Sequence, residues 1–199
     1  MVNRLACMLA LAVMVLSGAC ASHHAASTSG DVARVVAHSK PQKLDVGEDY
    51  LGGLWKTGPT YVSGQPTEEA LQELPALGVR AVISIRTPAE MDNRERVPFE
   101  EQDVVESLGL VYVNIPTNSS DYAYSPKQLK QFAEVMDEFD GEVLLHCTVG
   151  GRASHLWAAY AHRYGGLSVN EAWERGKAMN IGPPPMERFL GTTFEVHED

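Results

Sequence analysis

Cysteine is scarce in this chain, with three among 199 residues. Cys7 and Cys20 fall near the N-terminus, so Cys147 is the only thiol in the body of the sequence. A single thiol forms no internal disulfide, and the fold must be held by an apolar core. Basic residues are few as well: 16 Lys and Arg stand against 26 Asp and Glu, a formal net charge of −10. That balance argues against a nucleic-acid partner, whose binding surface is a basic patch. No Walker loop, Rossmann glycine pattern, zinc-spaced Cys/His set or Ser nucleophile elbow occurs, so neither metal nor cofactor is expected.

A long apolar run is missing too. The stretch from Leu5 to Leu16 has 12 residues, against the roughly 20 that a membrane-spanning helix needs. With Arg4 before it and Ser17-Gly18-Ala19-Cys20-Ala21 after it, the stretch reads as an export signal over residues 1–21. Ala19-Cys20-Ala21 fits cleavage before Ser22. Leu16-Ser17-Gly18-Ala19-Cys20 is similar to a bacterial lipoprotein box with its Leu one place early. The chain is therefore expected in the periplasm, either free or tethered to a membrane through a lipidated Cys20.

Residues 22–50 are small and polar with no sustained period, and are expected to be a flexible tether. The domain is expected over residues 51–190, with a tail over 191–199. Within it, Tyr61-Val62, Val79 to Ile85, Leu110 to Ile115 and Val143 to His146 read as strands. Helices are expected from Glu68 to Leu74, Phe99 to Leu108, Pro126 to Phe139, near Arg152 to Tyr164, and from Val169 to about Asn180. Strands alternating with helices imply parallel strands joined by right-handed crossovers, giving a three-layer α/β/α fold with a central, mostly parallel sheet. Ligands bind such sheets at the C-terminal edge of the strands. Arg86, the segment after Ile115 and Cys147 all emerge there.

The segment after Val143–His146 carries the chemistry. Cys147 sits between a buried strand and the first turn of a helix, where backbone N–H groups and the positive helix end favour a thiolate and a bound anion. Thr148, Val149, Gly150, Gly151 and Arg152 offer consecutive amides, and two glycines permit the positive φ angles of an anion-binding nest. Arg152 adds a planar fork that matches phosphate or sulfate.

His146-Cys147-x-x-Gly150 resembles the phosphate loop of the cysteine-dependent tyrosine and dual-specificity phosphatases. Tyr61-Val62-Ser63-Gly64-Gln65-Pro66-Thr67, Leu77 to Arg86 and Gly109 to Pro116 are similar to other parts of that fold. The likeness spans about residues 54–180 and is strongest to the bacterial phosphatase-like group related to the domain beside β-lactamase-like hydrolases. The resemblance implies hydrolysis of a phosphorylated protein or small molecule through a cysteinyl phosphate. Cys147 would be the nucleophile and Arg152 the phosphate clamp, with His146 orienting the loop. Asp121 would be the general acid, and Asp92 or Glu90 its substitutes. Ser154 falls at the family's hydroxyl position and joins Thr148, Val149, Gly150 and Gly151 as an expected anion-binding residue.

One departure matters. The phosphatase pattern places five residues between Cys and Arg, and here four separate Cys147 from Arg152. One residue along a helix rotates a side chain by about 100°, so Arg152 clamps phosphate only from a tighter loop. Cys-x-x-Gly-x-Arg is also similar to the loop of rhodanese-type sulfurtransferases, which carry a persulfide. A binding module that holds an anion without turnover is the third reading.

Overall fold

The computed structural model describes residues 29–118, 121–182 and 185–194. The expected export signal, Cys20 and the first part of the expected tether lie outside the described residues. Among the described residues no helix is long and apolar enough to cross a membrane.

Six strands make one sheet: β1 (Gln42–Leu44), β2 (Leu54–Thr57), β3 (Thr60–Ser63), β4 (Ala81–Ser84), β5 (Val111–Asn114) and β6 (Val143–His146), in the order β1-β2-β3-β6-β4-β5. The pairs β3–β6, β6–β4 and β4–β5 are parallel, and β1–β2–β3 form an antiparallel edge. Helices α2 (Glu68–Glu73), α3 (Pro88–Met91) and α4 (Glu101–Ser107) follow β3 and β4, and α5 (Pro126–Glu138) follows β5. After β6 come α6 (Gly151–Arg163), α7 (Val169–Lys177) and α8 (Met186–Leu190). This is the three-layer architecture expected from the alternation of strands and helices.

Side chains alternate across a strand, and here they sort into two apolar layers. Val62, Ala81, Ile83, Val143 and Leu145 face a core shared with α5, α6, α7 and α8. Tyr61, Val82 and Leu144 face a smaller core under α2 and α4. The same alternation, continued past β6, sends His146 to the α4 side and Cys147 to the α6 side.

The expected tether is ordered over much of its length. Helix α1 (Ser29–His38) packs on α5 and α6, and β1 joins the sheet edge. Val32, Ala33, Val36 and Ala37 recur at helical spacing and are all buried. Small residues disguised this stripe, since two of the four are alanine. They also let α1 approach closely: a Cβ at Gly165 would lie 2.3 Å from the Ala37 Cβ. Thr57 Oγ1 donates to the Val36 carbonyl at 2.9 Å, and the Arg175 guanidinium donates to the Ala37 carbonyl, so the end of α1 is tied down by side chains. At the other terminus Phe194 packs partly into the core, four residues beyond the expected boundary at 190.

Candidate active site

β6 ends at His146, and Gly150, at φ 91°, turns the chain into α6. That left-handed conformation suits glycine. Cys147 N–H donates to the Ser63 carbonyl at 3.3 Å, and Gln65 N–H to the Thr148 carbonyl at 3.0 Å, so the loop is stitched to the end of β3. Asn180 Nδ2 donates to the Val149 carbonyl at 2.7 Å from the far side. Cys147 is free and buried, 1% exposed, at the floor of this loop. Gly151 and Arg152 open α6, whose first-turn N–H groups have no intrahelical acceptor.

Arg152 reaches back across the loop. Its Nη1 donates to the Thr117 carbonyl at 2.7 Å and its Nη2 to Thr148 Oγ1 at 2.9 Å. The same two nitrogens fork onto Glu90, Nη1 to Oε2 at 3.0 Å and Nη2 to Oε1 at 2.6 Å. The shortened spacing therefore still delivers the guanidinium to the loop, with Arg152 as the second residue of α6. Burial alone would raise the Glu90 carboxyl, but Arg152, the Thr87 N–H and Thr148 overcome it and pull it down to about 2. With both of its oxygens taken by the Arg152 fork, Glu90 stands as the partner that fixes Arg152 rather than as the substitute proton donor. For Arg152 itself, burial works against the charge, but Glu90 and Cys147 outweigh it and raise the guanidinium further.

A second charged cluster lies under the α4 side of the loop. His146, wholly buried, shares a hydrogen bond of 2.8 Å between its Nε2 and Glu101 Oε1. Gln65 Nε2 donates to Glu101 Oε2, and Arg86 Nη1 donates to Gln65 Oε1. Arg86 Nη2 donates to the Glu90 carbonyl at 3.2 Å. The two clusters are therefore one chain, Arg152–Glu90–Arg86–Gln65–Glu101–His146. Burial disfavours the Glu101 charge, but His146, Gln65 and Arg86 reverse that and lower its pKa.

Of the residues expected from sequence, Cys147, His146, Thr148, Val149, Gly150, Gly151 and Arg152 are brought together in or under one loop. Ser154 differs. It is fully buried, and its hydroxyl lies against the Gly150 carbonyl at 2.9 Å and the Met179 carbonyl. Those contacts brace the start of α6 from behind, because two helical residues past Arg152 the chain has already turned inward. Asp121 is exposed and is not part of the hydrogen-bonded cluster around Arg152. Four residues before it the Thr117 carbonyl accepts from Arg152, and three residues after it Tyr124 packs edge-on against Phe189.

Two members of the site were not singled out from sequence. Glu101 stands in Glu100-Glu101-Gln102-Asp103, where acids at a helix start read as complements to the dipole. Nothing in the sequence distinguishes Glu101 among them, whereas the structure buries it to 3% exposure. Gln65 was legible only as part of a turn. A cavity of about 520 Å³ adjoins the loop on this side, with Thr148, Gln65, Arg86, Leu51 and Phe99 in its wall.

A buried cysteine under a strand-to-helix anion loop, with an arginine fork returning over it, defines the class of cysteine-based phosphatase folds. Residues 55–188 match the family model described as DSP-PTPase phosphatase fused to NAD+ kinase, well over half of the chain, and the chain belongs to that family. No curated protein sequence is significantly similar to it. Among solved structures, a DUF442 phosphatase candidate of Shewanella putrefaciens CN-32 is 23% identical, with 71% of this chain and 89% of that one covered and a TM-score of 0.54. Tk-PTP in its active form is 24% identical over 64% of this chain and 85% of that one, with a TM-score of 0.52. TpbA of P. aeruginosa, in complex with pTyr, is 22% identical over 73% and 82%, also at 0.52. At these identities the likeness is one of fold.

Proposed function

We propose that this chain is an exported phosphatase that hydrolyses phosphomonoesters through a cysteinyl phosphate on Cys147. The observation that carries the reading is the Arg152 fork, held by Glu90 and Thr148 over the loop that begins at Cys147. A tetrahedral dianion seated on the loop amides meets the sulfur below and the guanidinium beside it, an arrangement in which charge developing on the transferred group is stabilised without reorganisation. The Cys147 thiolate attacks phosphorus and the P–O ester bond breaks. Asp121 gives its proton to the departing oxygen. Asp121 then takes a proton from water, whose oxygen attacks phosphorus, and the P–S bond breaks to return the thiolate and free phosphate.

Asp121 follows by four residues Thr117, whose carbonyl accepts from Arg152, and this nearness in sequence supports the role. The side cavity beside Thr148 is suited to the organic part of the substrate, with Leu51 and Phe99 as apolar wall. The family match gives the sulfurtransferase reading no support. Purified protein should release phosphate from an aryl phosphate, and Cys147→Ser should abolish the release. Asp121→Asn should lower the rate by about 10²–10⁴-fold; an unchanged rate removes Asp121 from the mechanism. Export is tested by fractionation, and the intact mass of the mature protein separates cleavage before Ser22 from a lipid on Cys20.

A further inference from the structure

Arg86 is the least expected charge in the molecule. It is 1% exposed, and among the largest fully buried side chains only Trp157 exceeds it in volume. Its backbone sits just past β4, at the sheet edge where β6 delivers Cys147. One end of the guanidinium donates to Gln65 and the other to the Glu90 carbonyl. The buried Nε, without a hydrogen-bond partner, faces the Glu90 carboxylate at 3.9 Å.

The surroundings of this cation are specific. Glu90 comes from α3, Glu101 from α4, and Arg152 from α6. Burial, with Arg152 beside it, works against the Arg86 charge and lowers its pKa, although Glu90 and Glu101 favour the charge. Gln65 fixes the direction of the link, because its Oε1 accepts from Arg86 and its Nε2 donates to Glu101. Charges therefore alternate along the chain, with Arg152 positive, Glu90 negative, Arg86 positive and Glu101 negative. Removing a buried ion pair in favour of apolar residues is often neutral or stabilising, so stability alone gives no reason for this chain to run beneath the loop.

We propose that Arg86 is a positioning residue of the anion site, a second and buried guanidinium that sets the Glu90–Arg152 clamp, with Gln65 and Glu101 holding it in place. The assignment rests on Cys147 being the nucleophile. The planar fork, which spans Gln65 and the Glu90 carbonyl at once, keeps Arg152 aligned for a bound anion, and a lysine cannot span both.

The test uses the full-length protein and iodoacetamide, with folding checked by circular dichroism. Inorganic phosphate protects Cys147 from alkylation, and the half-protecting concentration should rise about tenfold in both Arg86→Met and Arg86→Lys. Unchanged phosphate protection in a folded Arg86→Met overturns the proposal. Should Arg86→Met fail to fold, Arg86→Lys decides alone, and unchanged phosphate protection in it overturns the proposal. Weakened phosphate protection in Arg86→Met, in a protein that releases no phosphate from any ester, sustains the role of Arg86 and removes the phosphatase reading instead.

Discussion

The two sides of the Cys147 loop are built from opposite materials. Behind it, α6 presents Ala153, Leu156, Trp157 and Tyr160, none more than 1% exposed, to the larger core. Beneath its other side lie Gln65, Arg86, Glu101 and His146, which are also buried although polar or charged. The apolar side derives its stability from area and packing. The polar side gains little net stability from its paired charges, and what it supplies is direction. Cys147 stands on the seam, buried beside the apolar layer, with the neighbouring histidine in the charged one. The lesson is that the fold separates the part that holds the loop from the part that aims it.

Substitutions on the two sides should accordingly fail in different ways. The largest effect belongs to the seam itself: Cys147→Ser should lower turnover by about 10⁴-fold or more, with the thermal transition in place. Next, Arg152→Lys keeps a charge but loses the fork onto Glu90, and kcat should fall by about 10²–10³-fold, as for loss of a transition-state donor. On the apolar side Trp157→Ala should cost about 3–5 kcal/mol in denaturant unfolding, while the protein that remains folded keeps its Cys147 alkylation profile. A changed profile there would erase the division between the two sides.

Glu90 sharpens the comparison through pH. Its carboxyl is depressed from the ordinary 4.5 to about 2 in the folded protein. A depressed acid contributes stability that is fully present above the unfolded value, near 4.5, and is lost as the pH falls toward 2. Glu90→Gln should therefore flatten the acid-unfolding curve across that interval, and an unaltered curve would show that Arg152 does not hold Glu90 in solution. The smallest effect is expected far from the seam. Lys130 and Glu134 pair on the exposed face of α5, and Lys130→Ala should leave both the melting temperature and turnover unchanged.

Much of this was legible in the sequence, and what escaped has physical causes. The strand at Val82-Ile83 and the helix from Val169 were visible because each has a local signature, a β-branched run in one and, in the other, Ser168 and Glu171, which form a capping box in the structure. The Cys147–Arg152 loop was visible because glycine and arginine spacing encodes an anion cradle directly. Helix α1 was missed because alanines weaken an apolar stripe. Strands β1 and β2 were missed because three and four residues leave too little periodicity to read. Glu101 and Glu100 are adjacent and chemically alike. Only the tertiary placement of α4 beside His146 makes one a buried partner and leaves the other on the surface, bridged to Arg94. Ser154 was assigned by ungapped register, and the four-residue spacing moved it out of the anion loop.

The central claim is that Cys147 takes the phosphoryl group onto its sulfur. Rapid quenching of the protein with an aryl phosphate, followed by mass spectrometry of the peptide that contains Cys147, tests it most directly. The account predicts a phosphoryl adduct on that peptide, formed with release of one equivalent of the aryl alcohol and absent in Cys147→Ser. Turnover that persists in Cys147→Ser, or alcohol release with the phosphoryl group found on another residue, would contradict it.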